Sequence, residues 1–230
     1  MKTINIRALM MGAFVLLTFA GTAAGQTGAS PILNTLEVRE LVASTDPGDH
    51  ARLAAHFTAL AERYTADAKR HTAMARAFIG TPARQVGVNS ASEHCKVLAR
   101  LNTRSAETVR EIAAHHARLA GGTASTAPKG SGRFQGGVGA PEPSDAELTA
   151  LAAKASTPAD HRALAEYFLT AAKRYTAGAT DHAAMAQAYR GTRIAQSAAH
   201  CDRLVQLSRD EAKEANALAA EHQQLAGIAR

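Results

Sequence analysis

Large rings recur every seven positions along two long stretches of this chain. The first series is His50, Phe57, Tyr64, His71 and Phe78; the second is His161, Phe168, Tyr175, His182 and Tyr189. Leu53, Leu60 and Met74 run beside the first, and Leu164, Ala171 and Met185 beside the second. Ala54, Ala61, Ala68 and Ala75 complete one stripe, and Ala165, Ala172, Ala179 and Ala186 the other. Large residues facing small ones at this period predict long helices packed closely through one face. Each stretch is followed by a matching series: Cys95, Asn102, Val109, His116, and Cys201, Ser208, Ala215, His222. Leu98, Ile112 and Leu119 flank the first, and Leu204, Leu218 and Leu225 the second. No segment shows the two-residue alternation of a strand.

Punctuation sets the helix ends. Asp46-Pro47 and Thr157-Pro158 each place a capping side chain before a proline suited to the first helical position. Gly80 and Gly191 close the long helices. Return helices are predicted over 90–120 and 197–226, each followed by glycine. Short helices are predicted over 32–43 and 145–155. Ser144 with Glu147 forms a capping-box signal at the second.

The two halves read as copies. DHARLAAHFTALAERYTADAKRHTAMARAF returns as DHRALAEYFLTAAKRYTAGATDHAAMAQAY, and SASEHCKVL returns as SAAHCDRLV. The expected architecture is all-α. Internally duplicated helical hairpins form an antiparallel four-helix bundle, with a short additional helix preceding each hairpin. The first repeat covers 31–121 and the second 144–230. Between them, 122–143 is rich in Gly, Pro and Ser and reads as a flexible linker. Within each hairpin Tyr64 should face Asn102, and Tyr175 should face Ser208. A pseudo-twofold along the bundle axis would then gather His50, His116, His161 and His222 near one end. His71, Cys95, His182 and Cys201 would gather near the other, with Met74 and Met185 close by. If the helices follow sequence order round the bundle, the two return helices are diagonal; the long linker equally permits orders in which they are neighbours.

Four imidazoles suit zinc or copper, and two His with two Cys beside thioethers suit zinc or copper(I). The leading expectation is therefore a metal-binding protein for copper or zinc sequestration or delivery. A competing expectation is a non-catalytic structural or partner-binding module with the histidines as core polar groups and a Cys95–Cys201 disulfide. Non-covalent haem b between seam histidines is a third. His94 and His200 point away from the seam and are expected to be exposed. A converging four-histidine cluster should hold its imidazoles below their ordinary pKa, since neighbouring positive charges repel.

Enzyme chemistry finds no foothold. There is no Gly-rich phosphate loop, no Ser-His-Asp arrangement, no C-x-x-C-H and no facing glutamate set for a di-iron site. At the N-terminus, Lys2 and Arg7 precede the apolar run 8–20 and the small residues GTAAG, the pattern of a secretory signal over 1–25. The mature chain is expected in the periplasm or the medium, with no stable membrane insertion after cleavage. Losing those two basic residues takes the formal charge from +6 to +4. Bases and acids alternate and Trp is absent, which excludes the clustered basic face or aromatic platform of a nucleic-acid binder.

Overall fold

The computed structural model describes residues 32–79, 91–121 and 143–228. These form six helices: α1 (Thr35–Val42), α2 (Pro47–Phe78), α3 (Ala91–Leu119), α4 (Asp145–Lys154), α5 (Pro158–Arg190) and α6 (Gln196–Ile228). There is no strand among the described residues. The leader expected over 1–25 lies outside the described residues, as do Gly80 and 122–142 of the expected linker.

The caps follow the sequence signals. The Asp46 side chain accepts from the Gly48 N–H, and Pro47 begins α2. Thr157 and Asp160 make a reciprocal capping box at α5, and Ser144 with Glu147 makes one at α4. A further box, Asn34 with Glu37, opens α1. Each satisfies backbone donors that a helix start leaves unpaired.

Helices α2 and α3 lie side by side. His50 meets His116 at one end, and the Ser92 hydroxyl donates to the Ala75 carbonyl at 2.8 Å near the other. Helices α5 and α6 do the same, with His161 against His222. The hairpins then join along α3 and α6. The Ser105 hydroxyl donates to Glu211 Oε1 at 3.0 Å, and the Ala91 N–H donates to Glu221 Oε1 at 3.2 Å. The short helices dock crosswise. The Thr35 hydroxyl on α1 donates to Asp181 on α5 at 2.8 Å, and Asp145 on α4 accepts from Arg70 on α2.

Of the helix orders the sequence leaves open, the structure has one in which the return helices α3 and α6 are neighbours. It differs from the expected packing in one respect: the openings of the two hairpins sit at opposite ends. One core cluster combines Leu53, Phe57 and Ile112 with Met185, Tyr189 and Cys201. The other combines Met74, Phe78 and Cys95 with Leu164, Phe168 and Leu218. The physical reason lies in the aromatics that end α2 and α5. Phe78 covers His222 and Tyr189 covers His116, so each hairpin buries the histidine end of the other.

Candidate metal sites and the central polar layer

His50 stands in the first turn of α2, and His116 in the last turn of α3. The seam turns both inward, and their Nδ1 atoms approach to 3.2 Å. Phe57 stacks on His116 at 5.7 Å between centroids, and His116 Nε2 lies 2.7 Å from the Tyr189 hydroxyl. His116 is fully buried, while His50 keeps 7% of its surface. Burial lowers the pKa of His116 to about 3, helped by charge on His50, His115 and His56.

The second hairpin repeats this arrangement with one change. His161 Nδ1 and His222 Nδ1 are also 3.2 Å apart, and Phe168 stacks on His222 at 5.8 Å. Phe78 takes the place of Tyr189, with its centroid 5.5 Å from His222. His222 Nε2 is therefore buried without a hydrogen-bond partner. Burial, then the charge of His161, lowers the pKa of His222 to about 4. His161 is lowered by burial, against the opposing pull of Asp160.

The four imidazoles do not converge. Phe78, which touches His222, lies 28 residues beyond His50 on α2. At 1.5 Å per residue the two histidine pairs are about 42 Å apart. Low histidine pKa values were expected from a converging cluster; burial is their main cause.

The second expected cluster is divided as well. His71 Nε2 lies 3.2 Å from the Tyr175 hydroxyl, which also accepts from Asn102 Nδ2 at 3.1 Å. His182 Nε2 lies 2.9 Å from the Tyr64 hydroxyl. The partner of Asn102 is thus Tyr175 of the opposite hairpin, not Tyr64. Burial lowers His71 to about 3 and His182 to about 4. Cys95 shares a core cluster with Met74, and Cys201 shares the other with Met185.

Both cysteines are free and fully buried. Cys95 lies ten residues before Ser105 and Cys201 ten before Glu211, on helices that run in opposite directions through that contact. Their separation is therefore about 30 Å, which overturns the expected Cys95–Cys201 disulfide. Burial pushes the Cys201 thiol up to about 12 and raises Cys95 as well. Among the described residues no group of three or more His, Cys, Asp or Glu is placed to hold a metal ion. What remains of the expected ligand sets is two pairs, His50 with His116 and His161 with His222.

Two acidic groups central to the fold were not anticipated. Asp67 is buried, 2.9 Å from Arg70 and 3.5 Å from Arg174. Glu211 is fully buried, and burial raises it to about 8 despite the hydrogen bond from Ser105. A sequence signal for it exists. Glu211 falls between Leu204 and Leu218 at seven-residue spacing, an acid on an apolar stripe. Its counterpart in the first half is Ser105, so the acid is not among the residues that the two halves share. His94 and His200 are half-buried, not exposed. His94 Nδ1 lies 2.7 Å from Glu214 and ties α3 to α6, while His200 Nδ1 lies 3.0 Å from Glu111.

No family model matches this chain, and no curated protein or solved structure matches it. No helix among the described residues is long and apolar enough to cross a membrane.

Proposed function

We propose that this chain is an exported metal-binding protein for zinc or copper sequestration or delivery. In this reading an internally duplicated, antiparallel four-helix bundle carries a two-histidine site near each end. One is His50 with His116; the other is His161 with His222. The observation that carries the reading is the approach of two seam Nδ1 atoms to 3.2 Å in both hairpins. Two nitrogens bound to one tetrahedral zinc at about 2.0–2.1 Å are about 3.3 Å apart. To share an ion, each pair would give up the proton between its rings and turn both Nδ1 lone pairs toward the metal. With two protein donors, water completes the shell, which suits reversible loading rather than a closed structural site. The duplication is supported by the same His, Phe and Tyr positions in both halves. Export to the periplasm or medium is supported by the leader pattern over 1–25.

Metal titration of the mature chain, with elemental analysis of the loaded protein, tests this. Two ions per chain are expected. His50→Ala with His116→Ala should remove one, and His161→Ala with His222→Ala the other. No binding of zinc or copper at micromolar concentration would overturn the reading.

A second reading is a non-catalytic structural or partner-binding module, without the disulfide. The central layer favours it, because Tyr64–His182 and Tyr175–His71 use neutral histidines as core ties between hairpins. It predicts a melting temperature that metal and chelator leave unchanged. The haem reading has less support: His50 and His116 are in direct contact, as are His161 and His222, leaving no interval for a macrocycle between axial rings.

A further inference from the structure

We infer that acidification opens the bundle along its α2–α5 seam while α3 and α6 stay joined, a hinge between the two hairpins. It needs no metal and stands apart from the metal reading. The hairpins meet along two seams of different make. In one, the α3 and α6 backbones approach closely. In the other, the α2 and α5 backbones stand further apart. Long side chains close that second seam, together with α1 and α4, each of which packs on both helices.

The histidines of the two seams face opposite chemistry. His56, His71 and His182 belong to the α2–α5 seam, and all are buried. His56 Nδ1 accepts the Leu33 N–H at 3.0 Å, which anchors the chain leading into α1. A proton on that nitrogen would break the bond. Glu37 of α1, His182 of α5 and His116 of α3 are the titratable groups around His56. His71 meets Tyr175, and its charged neighbours are Arg70 and Arg174. His182 meets Tyr64, with His56 nearby. Nδ1 of both His71 and His182 is buried without a partner. Protonating either ring would place a charge and an unpaired donor in the interior. The carboxylate of this seam, Asp67, is held between Arg70 and Arg174.

The α3–α6 seam is the reverse. His94 Nδ1 lies 2.7 Å from Glu214, with Glu221 close by. His200 Nδ1 lies 3.0 Å from Glu111, which Arg203 also approaches, with His115 nearby. Protonation makes both contacts ion pairs and strengthens them. Ser105–Glu211 and Ala91–Glu221 hold the same seam.

Burial keeps His56, His71 and His182 at about 3 to 4, below the ordinary 6.5. Contact with water removes that cost. As pH falls below 6.5 the open form takes up protons that the closed form refuses, so opening gains. The Asp67–Arg174 contact across the seam pulls the other way, but the Arg174 side chain is 22% exposed, which weakens it.

The test is the distance between paired spin labels in the metal-free protein at pH 7 and pH 5. Glu62→Cys with Ala183→Cys spans the α2–α5 seam, and Arg104→Cys with Arg209→Cys spans the α3–α6 seam. All four residues are exposed, while the native thiols are buried. The first distance is expected to lengthen by about 5 Å, the radius of a helix with its side chains, and the second to hold. No change in the first, or equal change in both, would overturn the inference. His56→Asn, His71→Gln and His182→Gln together keep a hydrogen-bonding group at each contact that takes no proton. This variant should hold the first distance at its pH 7 value, and opening that persists in it would overturn the inference as well. If the variant does not fold, the two distances in the chain with its histidines intact decide.

Discussion

Tyr64 on α2 and His182 on α5 are joined at 2.9 Å between the phenol oxygen and Nε2, across 118 residues of sequence. Tyr175 and His71 make the reciprocal contact at 3.2 Å. Each hairpin thus supplies one tyrosine and one histidine to the other. Burial raises the pKa of both tyrosines, so they stay neutral. Tyr64→Phe leaves His182 Nε2 buried and unpaired, and should cost about 1–3 kcal/mol. Urea unfolding would show the loss as a lower midpoint. No shift in midpoint would mean that the contact contributes nothing to stability.

Acid should destabilise the fold. His56, His71, His116, His182 and His222 all have folded pKa values of about 3 to 4, below the ordinary histidine value of 6.5. Below pH 6.5 the unfolded chain takes up protons that the folded chain refuses, so stability falls from there down toward pH 4. Glu211 opposes this with one proton against several. Melting curves of the metal-free protein at pH 7, 6, 5 and 4 should decline steadily; a flat series would mean that the histidines are solvated.

Glu211 should lower stability as pH rises above neutral. Its folded pKa of about 8 exceeds the ordinary glutamate value of 4.5. The folded chain therefore holds a proton that the unfolded chain has released, and stability drops as pH rises through 8. Together with the histidines this places maximum stability near pH 6.5 to 7. Glu211→Gln should flatten the decline between pH 7 and 8 and make the acid arm steeper, because the proton that opposes the histidines is gone. An unchanged alkaline arm would assign the proton elsewhere.

Asp67 holds Arg70 and Arg174 together from a buried position. Asp67→Ala removes the shared carboxylate and should cost about 3 kcal/mol, the lower end for a broken buried pair, because both arginines keep some solvent contact. The second half has Gly178 at the corresponding place, so nothing there substitutes. Guanidinium unfolding would decide; a loss under half a kcal/mol would make the contact a surface pair in effect.

The two thiols should be silent in the native protein. Both are buried and held protonated by burial. A thiol reagent should label neither until denaturant is added, and then both. The mass of the unreduced chain should show no loss of two hydrogens. Rapid native labelling, or a disulfide mass, would contradict the burial of Cys95 and Cys201.

Seven-residue spacing and capping residues are enough to specify the helices and the layers within each hairpin. Both act locally, through backbone hydrogen bonding and the face a helix turns to its neighbour. That is why His50 opposite His116, and His161 opposite His222, are legible in the spacing alone. How the hairpins meet is not legible there, because a stripe of His, Phe and Tyr looks the same from either end. Packing between the hairpins settles it. Phe78 covers His222, Tyr189 covers His116, and α3 lies on α6 with Glu211 against Ser105. That end-to-end reversal separates the two histidine pairs by the length of α2, parts Cys95 from Cys201, and gives His71 and His182 tyrosine partners in place of thiols. Long-range complementarity between side chains distant in sequence fixes these contacts, and a local period carries no information about it.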